Sequence, residues 1–373
     1  MKKKILALVL TLAMVLSLVP ATALAVGENE EGTTIYVDAT SGNDTQEGVG
    51  TAPDKAYKTL ETAVAKAASG DTIQLGKGNY TLYKVSSEGH TKGKNLTFVG
   101  QGADKTGWNI GAEVPDPANF GTEYNGDYSF DGAGTVTFKD MTLRSGSADY
   151  LGFIRSTNTV VENCTINGKT FYWGYTSAEF KNTTFNCPTG DYALWTYSSP
   201  TMTFDTCTFN SSGKVINVYT DYSAGNYDIT VNFKDCTVNG NTPEGKKDKA
   251  VMNINDSNMG DYKYIINISG TNVVNGVTPD NLNQEYPDYQ DKKSPKKQQD
   301  ISCSRLFEFN TKYGAGNSGR TVVNFNGKTV WQDGKMVDAT KYHTEGVKVS
   351  GVTYDNGVAG ANDSLYAEGY KDN

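Results

Sequence analysis

The chain has 373 residues, with 42 Asp and Glu against 34 Lys and Arg, for a formal net charge of −8. Such an acidic protein lacks the basic footprint that nucleic acid and anionic lipid need. Its 40 Gly and 23 Tyr suit short strands and tight turns better than helices, and five cysteines are too few and too odd for a disulfide scaffold.

Residues 1–25 read as a signal peptide. Lys2, Lys3 and Lys4 form a cationic start, Ile5 to Val19 is apolar, and Ala23-Leu24-Ala25 supplies small residues for cleavage. The apolar stretch is short for a membrane span, and nothing later in the chain approaches one. The expectation is a secreted protein, without membrane insertion, starting at Val26. Losing the three leader lysines takes the net charge from −8 to −11. An anionic polysaccharide is then a poor partner unless a basic patch or bridging cation offsets the field. Residues 26–32 form a polar leader.

Leu60, Ala63, Val64 and Ala67 fall at helical spacing in an Ala-rich stretch ended by Ser69-Gly70. This predicts a helix at about 56–69 that caps the apolar end of a strand-rich region.

That region is a repeat. An apolar residue, a polar one, Asn or Asp, a small residue, Thr and another apolar residue recur as Phe138 to Leu143, Val161 to Ile166, Phe180 to Phe185, Phe204 to Phe209 (Thr206 in the third place) and Phe233 to Val238. A looser copy runs from Ile268 to Val273. The small-residue column at 141, 164, 183, 207 and 236 steps by 23, 19, 24 and 29 residues. A second block places Ile154, Tyr175, Tyr197, Tyr219, Ile254 and Phe309 in one column. Strands this short bury no face alone, but stacking equivalent strands about 4.8 Å apart makes a continuous core. The fold class expected is all-β: a right-handed parallel β-helix solenoid over 33–335, with a mobile insertion at about 278–300 and an irregular region at 336–373.

Several segments carry a resemblance. Ile35-Tyr36-Val37-Asp38, Gly42-Asn43-Asp44, Lys58-Thr59-Leu60, Gly70-Asp71-Thr72-Ile73 and Gly78-Asn79-Tyr80 resemble the opening of right-handed β-helix proteins of the pectin-lyase-like superfamily. Phe98 to Gly102 followed by Asp104-Lys105-Thr106 is similar to that superfamily's next coil. The superfamily holds polysaccharide lyases and hydrolases, phage tailspikes and noncatalytic adhesins. The resemblance therefore implies a fold and a polysaccharide setting, and no particular reaction.

The superfamily's Gly-His-Gly and Arg-Ile-Lys hydrolase motifs do not occur, and the two histidines, His90 and His343, sit in polar turn-like stretches. Beyond the leader the arginines are Arg144, Arg155, Arg305 and Arg320. Arg155 lies one place before the column of Asp221 and Asp256, a neighbourhood that a lyase using an arginine base and calcium would exploit; otherwise no cofactor is implied. Cys164, Cys207 and Cys236 share the small-residue column as core side chains, with a Cys207–Cys236 disulfide as the alternative.

The aromatic pattern is the strongest functional signal. Tyr172-Trp173-Gly174-Tyr175 aligns with Leu194-Trp195-Thr196-Tyr197, then with Tyr219 and Tyr222. Ladders of Tyr and Trp offer flat platforms for the apolar faces of sugars. One strand face must be core, however. The columns Leu151/Tyr172/Leu194/Ile216 and Ile154/Tyr175/Tyr197/Tyr219 are both apolar and lie an odd number of residues apart, so parity assigns neither. Tyr172, Trp173, Tyr175, Trp195, Tyr197, Tyr219 and Tyr222 are the candidate substrate-binding residues. The expected function is noncatalytic binding to a glycan or cell surface, with further domains or wall attachment beyond this chain; the alternative is a polysaccharide lyase or glycoside hydrolase.

Overall fold

The computed structural model describes residues 32–45, 47–82, 89–110, 130–145, 150–187, 194–196, 200–211, 215–218, 227–240, 249–254, 262–275, 303–310, 319–333, 335–336, 347–349 and 366–370. The chain divides into two units, Met1–Gly32 and Thr33–Asn373. The expected signal peptide and the insertion at about 278–300 lie outside the described residues.

The second unit is built on three sheets of 12, 9 and 7 strands. From Thr135–Lys139 to Thr321–Phe325 the chain visits them in a fixed order: first, second, third, then first again. Strands pair in parallel with their counterparts one round earlier and one round later, except that Tyr150–Ile154 begins the third sheet and has only a later partner. The first sheet ends differently, because Lys328–Gln332 and Lys335–Met336 fold back antiparallel. Strands Val347–Val349 and Tyr366–Tyr370, within the stretch expected to be irregular, extend the second and third sheets.

The register follows the repeat. Phe138, Val161, Phe180, Phe204, Phe233 and Ile268 are successive partners in the first sheet, and all are buried. Their rings stack between rounds, Phe180 on Phe204 with centroids 5.1 Å apart and, on the second sheet, Phe185 on Phe209 at 4.6 Å. Each fully buried Phe contributes about 1.5–3 kcal/mol of transfer free energy. The looser last copy carries one extra residue, so Val274 rather than Val273 faces Val238.

The third residue of each repeat makes the bend between the first and second sheets. Asp140, Asn163, Asn182, Thr206 and Asp235 have φ of 55°, 54°, 48°, 58° and 52°. Asn and Asp tolerate this left-handed region best among residues with a Cβ. Their side chains also bond between rounds, with Asn182 Nδ2 donating to Asn163 Oδ1 at 2.8 Å and Asn163 Nδ2 to Asp140 Oδ1 at 3.2 Å.

The small-residue column is buried throughout, and Cys164, Cys207 and Cys236 are free thiols, so the disulfide alternative is not what forms. Cys164 Sγ donates to Glu162 O at 3.3 Å and to Phe138 O at 3.6 Å. Thr183 Oγ1 repeats the arrangement with Lys181 O at 3.0 Å and Val161 O at 3.4 Å. From Cys164 to Cys236 the slot thus suits a small side chain with one hydrogen to give, whether Cys or Thr; Met141 fills it one round earlier without that hydrogen.

The expected helix forms over Leu60–Lys66, shorter than the 56–69 predicted, with a 3-10 turn at Pro53–Lys55 before it. Thr59 caps its start by accepting from Thr62 N, and Lys94 Nζ donates to Ala67 O at 2.6 Å beyond its end. Leu60, Ala63 and Val64 are buried.

Candidate functional site

The bends between the third and first sheets stack much as the strands do. Gly174 N donates to Ile154 O, Tyr175 N to Ser156 O and Thr176 N to Thr157 O, at 2.8, 2.9 and 2.8 Å. Gly174 has φ of 100°, and a Cβ there would stand 2.4 Å from Ser177 O, so only glycine fits this bend. Its backbone is therefore held at both ends, and the next side chain, Tyr175, projects outward.

Tyr175 is 37% exposed, the one exposed large hydrophobic side chain among the described residues. Arg155, one round earlier, lays its guanidinium over the ring with Cζ 4.9 Å from the centroid. Asp131, a round before that, accepts from the Tyr175 hydroxyl at 3.4 Å. The Asp131 turn is anchored by Phe130, which is buried among Phe98, Trp108 and Phe138 at 5.8, 5.9 and 5.7 Å. Phe130 has φ of 64°, a strained conformation for a bulky residue.

Burial pushes the Tyr175 phenol above its ordinary value; Arg155 opposes the shift and Asp131 adds to it. The hydroxyl therefore keeps its proton at neutral pH. The cluster offers a ring braced by a cation, with a carboxylate at its polar edge. Such a surface can stack on the apolar face of a sugar and hydrogen-bond its hydroxyls. Among the described residues, no three His, Cys, Asp or Glu converge in a way that could hold a metal ion.

The structure corrects the expectation for Trp173. Its side chain has no exposed area, packs edge-on against Phe180 with centroids 5.0 Å apart, and donates from Nε1 to Thr170 Oγ1. A ring with no open face cannot stack on a ligand. Nor do Trp173 and Trp195 share a register position: Trp173 pairs with Ile154, while Leu194 pairs with Thr170 and Trp195 with Asn217. The pairing of this strand with Tyr150–Ile154 is itself irregular between Thr170 and Phe171 and between Phe171 and Trp173. Tyr172 and Trp195 lie in the third-sheet strands Lys169–Trp173 and Leu194–Trp195, and their side chains are not among those described. Tyr197, Tyr219, Tyr222, Asp221, Asp256 and His343 are outside the described residues; His90 is exposed.

Sequence reasoning singled out Arg155 for lyase chemistry rather than for stacking, and it missed Asp131, whose only local signal was the turn dipeptide Asp131-Gly132. It also missed a charge column. On the first sheet Lys139, Glu162, Lys181, Asp205 and Lys234 are successive partners, with Lys139–Glu162 and Lys234–Asp205 bridged at 3.0 Å. Hydrogen bonds from Lys139 and Lys234 hold the Glu162 and Asp205 carboxyls below their ordinary values. The signs alternate along the column, so each described lysine has an acidic partner beside it and the column is not a continuous basic stripe.

Comparison with protein-family models, curated proteins and solved structures finds no match to this chain.

Proposed function

We propose that the protein is an exported, right-handed parallel β-helix of the pectin-lyase-like kind that binds a glycan without cleaving it. In this reading each round of three strands is one coil, the helix Leu60–Lys66 caps the first coils, and the Tyr175 cluster is the sugar-facing surface. The parallel rounds and the resemblance over residues 35–106 support the architecture. The observation that carries the function is the outward Tyr175 ring, braced by Arg155 and edged by Asp131. The ring is partly exposed and held in place by a cation over it and a carboxylate at its edge, and a pre-ordered binding platform needs such an exposed, rigid ring.

A glycan array probed with the wild type and with Tyr175→Ala tests the reading. The wild type binds at least one glycan, and the variant loses about tenfold in affinity, equivalent to about 1.4 kcal/mol, with its unfolding midpoint retained. No bound glycan, or equal binding by the variant, refutes it. Release of reducing ends or unsaturated uronates by the wild type from a polysaccharide panel refutes the noncatalytic part.

A further inference from the structure

The outward face of the second sheet carries two columns that the Tyr175 cluster does not use. Strands Thr165–Asn167, Thr184–Cys187, Thr208–Ser211 and Thr237–Gly240 pair in register, so Thr165, Thr184, Thr208 and Thr237 form one column. Asn167, Asn186, Asn210 and Asn239 form the other. Between them Ile166, Phe185, Phe209 and Val238 are buried, so strand alternation turns both polar columns away from the core. The four threonines and Asn186, Asn210 and Asn239 are partly exposed, whereas Asn167 at the start of the column is buried.

The asparagines form a ladder, in which Asn186, Asn210 and Asn239 each donate from Nδ2 to the Oδ1 of the preceding one at 2.9, 2.8 and 2.8 Å. At Asn186 and Asn210 the ladder takes one of the two amide hydrogens. The bonds hold the amides in line, while the β-branched threonines are stiff at χ1. The result is a pre-ordered surface whose hydroxyls and amides recur about every 4.8 Å in the stacking direction.

None of these eight positions carries a charge, in contrast to the Lys/Glu/Lys/Asp/Lys column of the first sheet. None is a large apolar side chain, so the face lacks the apolar centre of a protein–protein interface. The protein's net charge of −8 disfavours a uronate polymer. A neutral polyhydroxyl chain meets no such penalty, because each of its hydroxyls both donates and accepts. Its own repetition also lets many weak contacts add along the ladder.

We propose that this Thr/Asn face is a docking surface for an extended, neutral polysaccharide lying along the direction in which the strands stack. It goes beyond the Tyr175 reading and stands on different residues, since Tyr175 sits between the third and first sheets.

The test is affinity electrophoresis in native gels containing xylan, a mixed-linkage β-glucan, galactomannan or polygalacturonate. Four proteins are run: the wild type, Thr184→Val with Thr208→Val, Thr184→Glu with Thr208→Glu, and Tyr175→Ala. At least one neutral polymer retards the wild type, and polygalacturonate does not. The valine pair, which keeps the β-branch and removes only hydroxyls, raises the apparent Kd about tenfold with an unchanged unfolding midpoint. The glutamate pair raises it further. If the glutamate pair does not fold, the valine pair decides alone. Retardation by no neutral polymer, or by polygalacturonate alone, overturns the proposal, as does unaltered retardation of the valine pair. A wild-type dimer in sedimentation that the valine pair dissociates also overturns it, by assigning the face to self-association. Loss of retardation in Tyr175→Ala but not in the valine pair overturns this inference while leaving the Tyr175 reading intact.

Discussion

Replacing Trp173 and Tyr175 with alanine, the residues on either side of Gly174, should give opposite phenotypes. Trp173 is fully buried, lies edge-on to Phe180 at 5.0 Å and donates to Thr170, itself without exposed area. Truncation removes an indole from a packed interior, which costs about 3–5 kcal/mol through lost transfer energy and the cavity left behind. It also leaves the Thr170 hydroxyl without its donor, a further penalty of about 1–3 kcal/mol if nothing replaces it. Tyr175→Ala opens no cavity and removes a ring already 37% exposed, so its cost should stay within about 1 kcal/mol. At about 2–4 °C per kcal/mol for a large domain, Trp173→Ala lowers the thermal midpoint by on the order of 10 °C and Tyr175→Ala by no more than a few degrees. Thermal unfolding followed by circular dichroism, with glycan binding measured on the same preparations, separates the two. The reasoning fails if Trp173→Ala keeps the wild-type midpoint and loses binding, or if Tyr175→Ala collapses the midpoint.

The left-handed bends predict that Asn182→Val costs about 1–3 kcal/mol in urea unfolding, whereas Asn182→Gly costs less because glycine adopts φ of 48° without strain. Burial pushes the Cys164 thiol up to about 12 and raises that of Cys207 as well. Neither should react with Ellman's reagent at pH 8 in the native protein, and both should react in denaturant, as read by mass spectrometry of labelled peptides. Glu162 and Asp205 have folded pKa values below their ordinary 4.5 and 3.8, so the stability they contribute is present above those values and is lost as pH falls through the lowered ones. Glu162→Gln with Asp205→Asn should therefore flatten the decline of the urea midpoint below about pH 4.5, an effect kept small by exposure of both pairs; an unchanged acid limb would mean that these bridges do not persist in solution.

Much of the fold was legible in the residue order because its causes are local. The column from Phe138 to Ile268 faces inward wherever strand alternation is uninterrupted, and the third position of each repeat is Asn, Asp or Thr where the bend turns left-handed. Spacing alone also located the helix at Leu60, Ala63 and Val64, although Thr59 and Lys94 set its ends. The free thiols of Cys207 and Cys236 and the brace of Arg155 on Tyr175 depend on how separate rounds come to lie together. So does the burial of Trp173. A side chain's face follows parity along the strand, and the irregularities on either side of Phe171 reset that parity by an amount no spacing records. The residue order thus determined which segments pair and where they bend, while the tertiary register alone decided which aromatic entered the core and which was left facing out, because a one-residue slip exchanges the two faces of a strand.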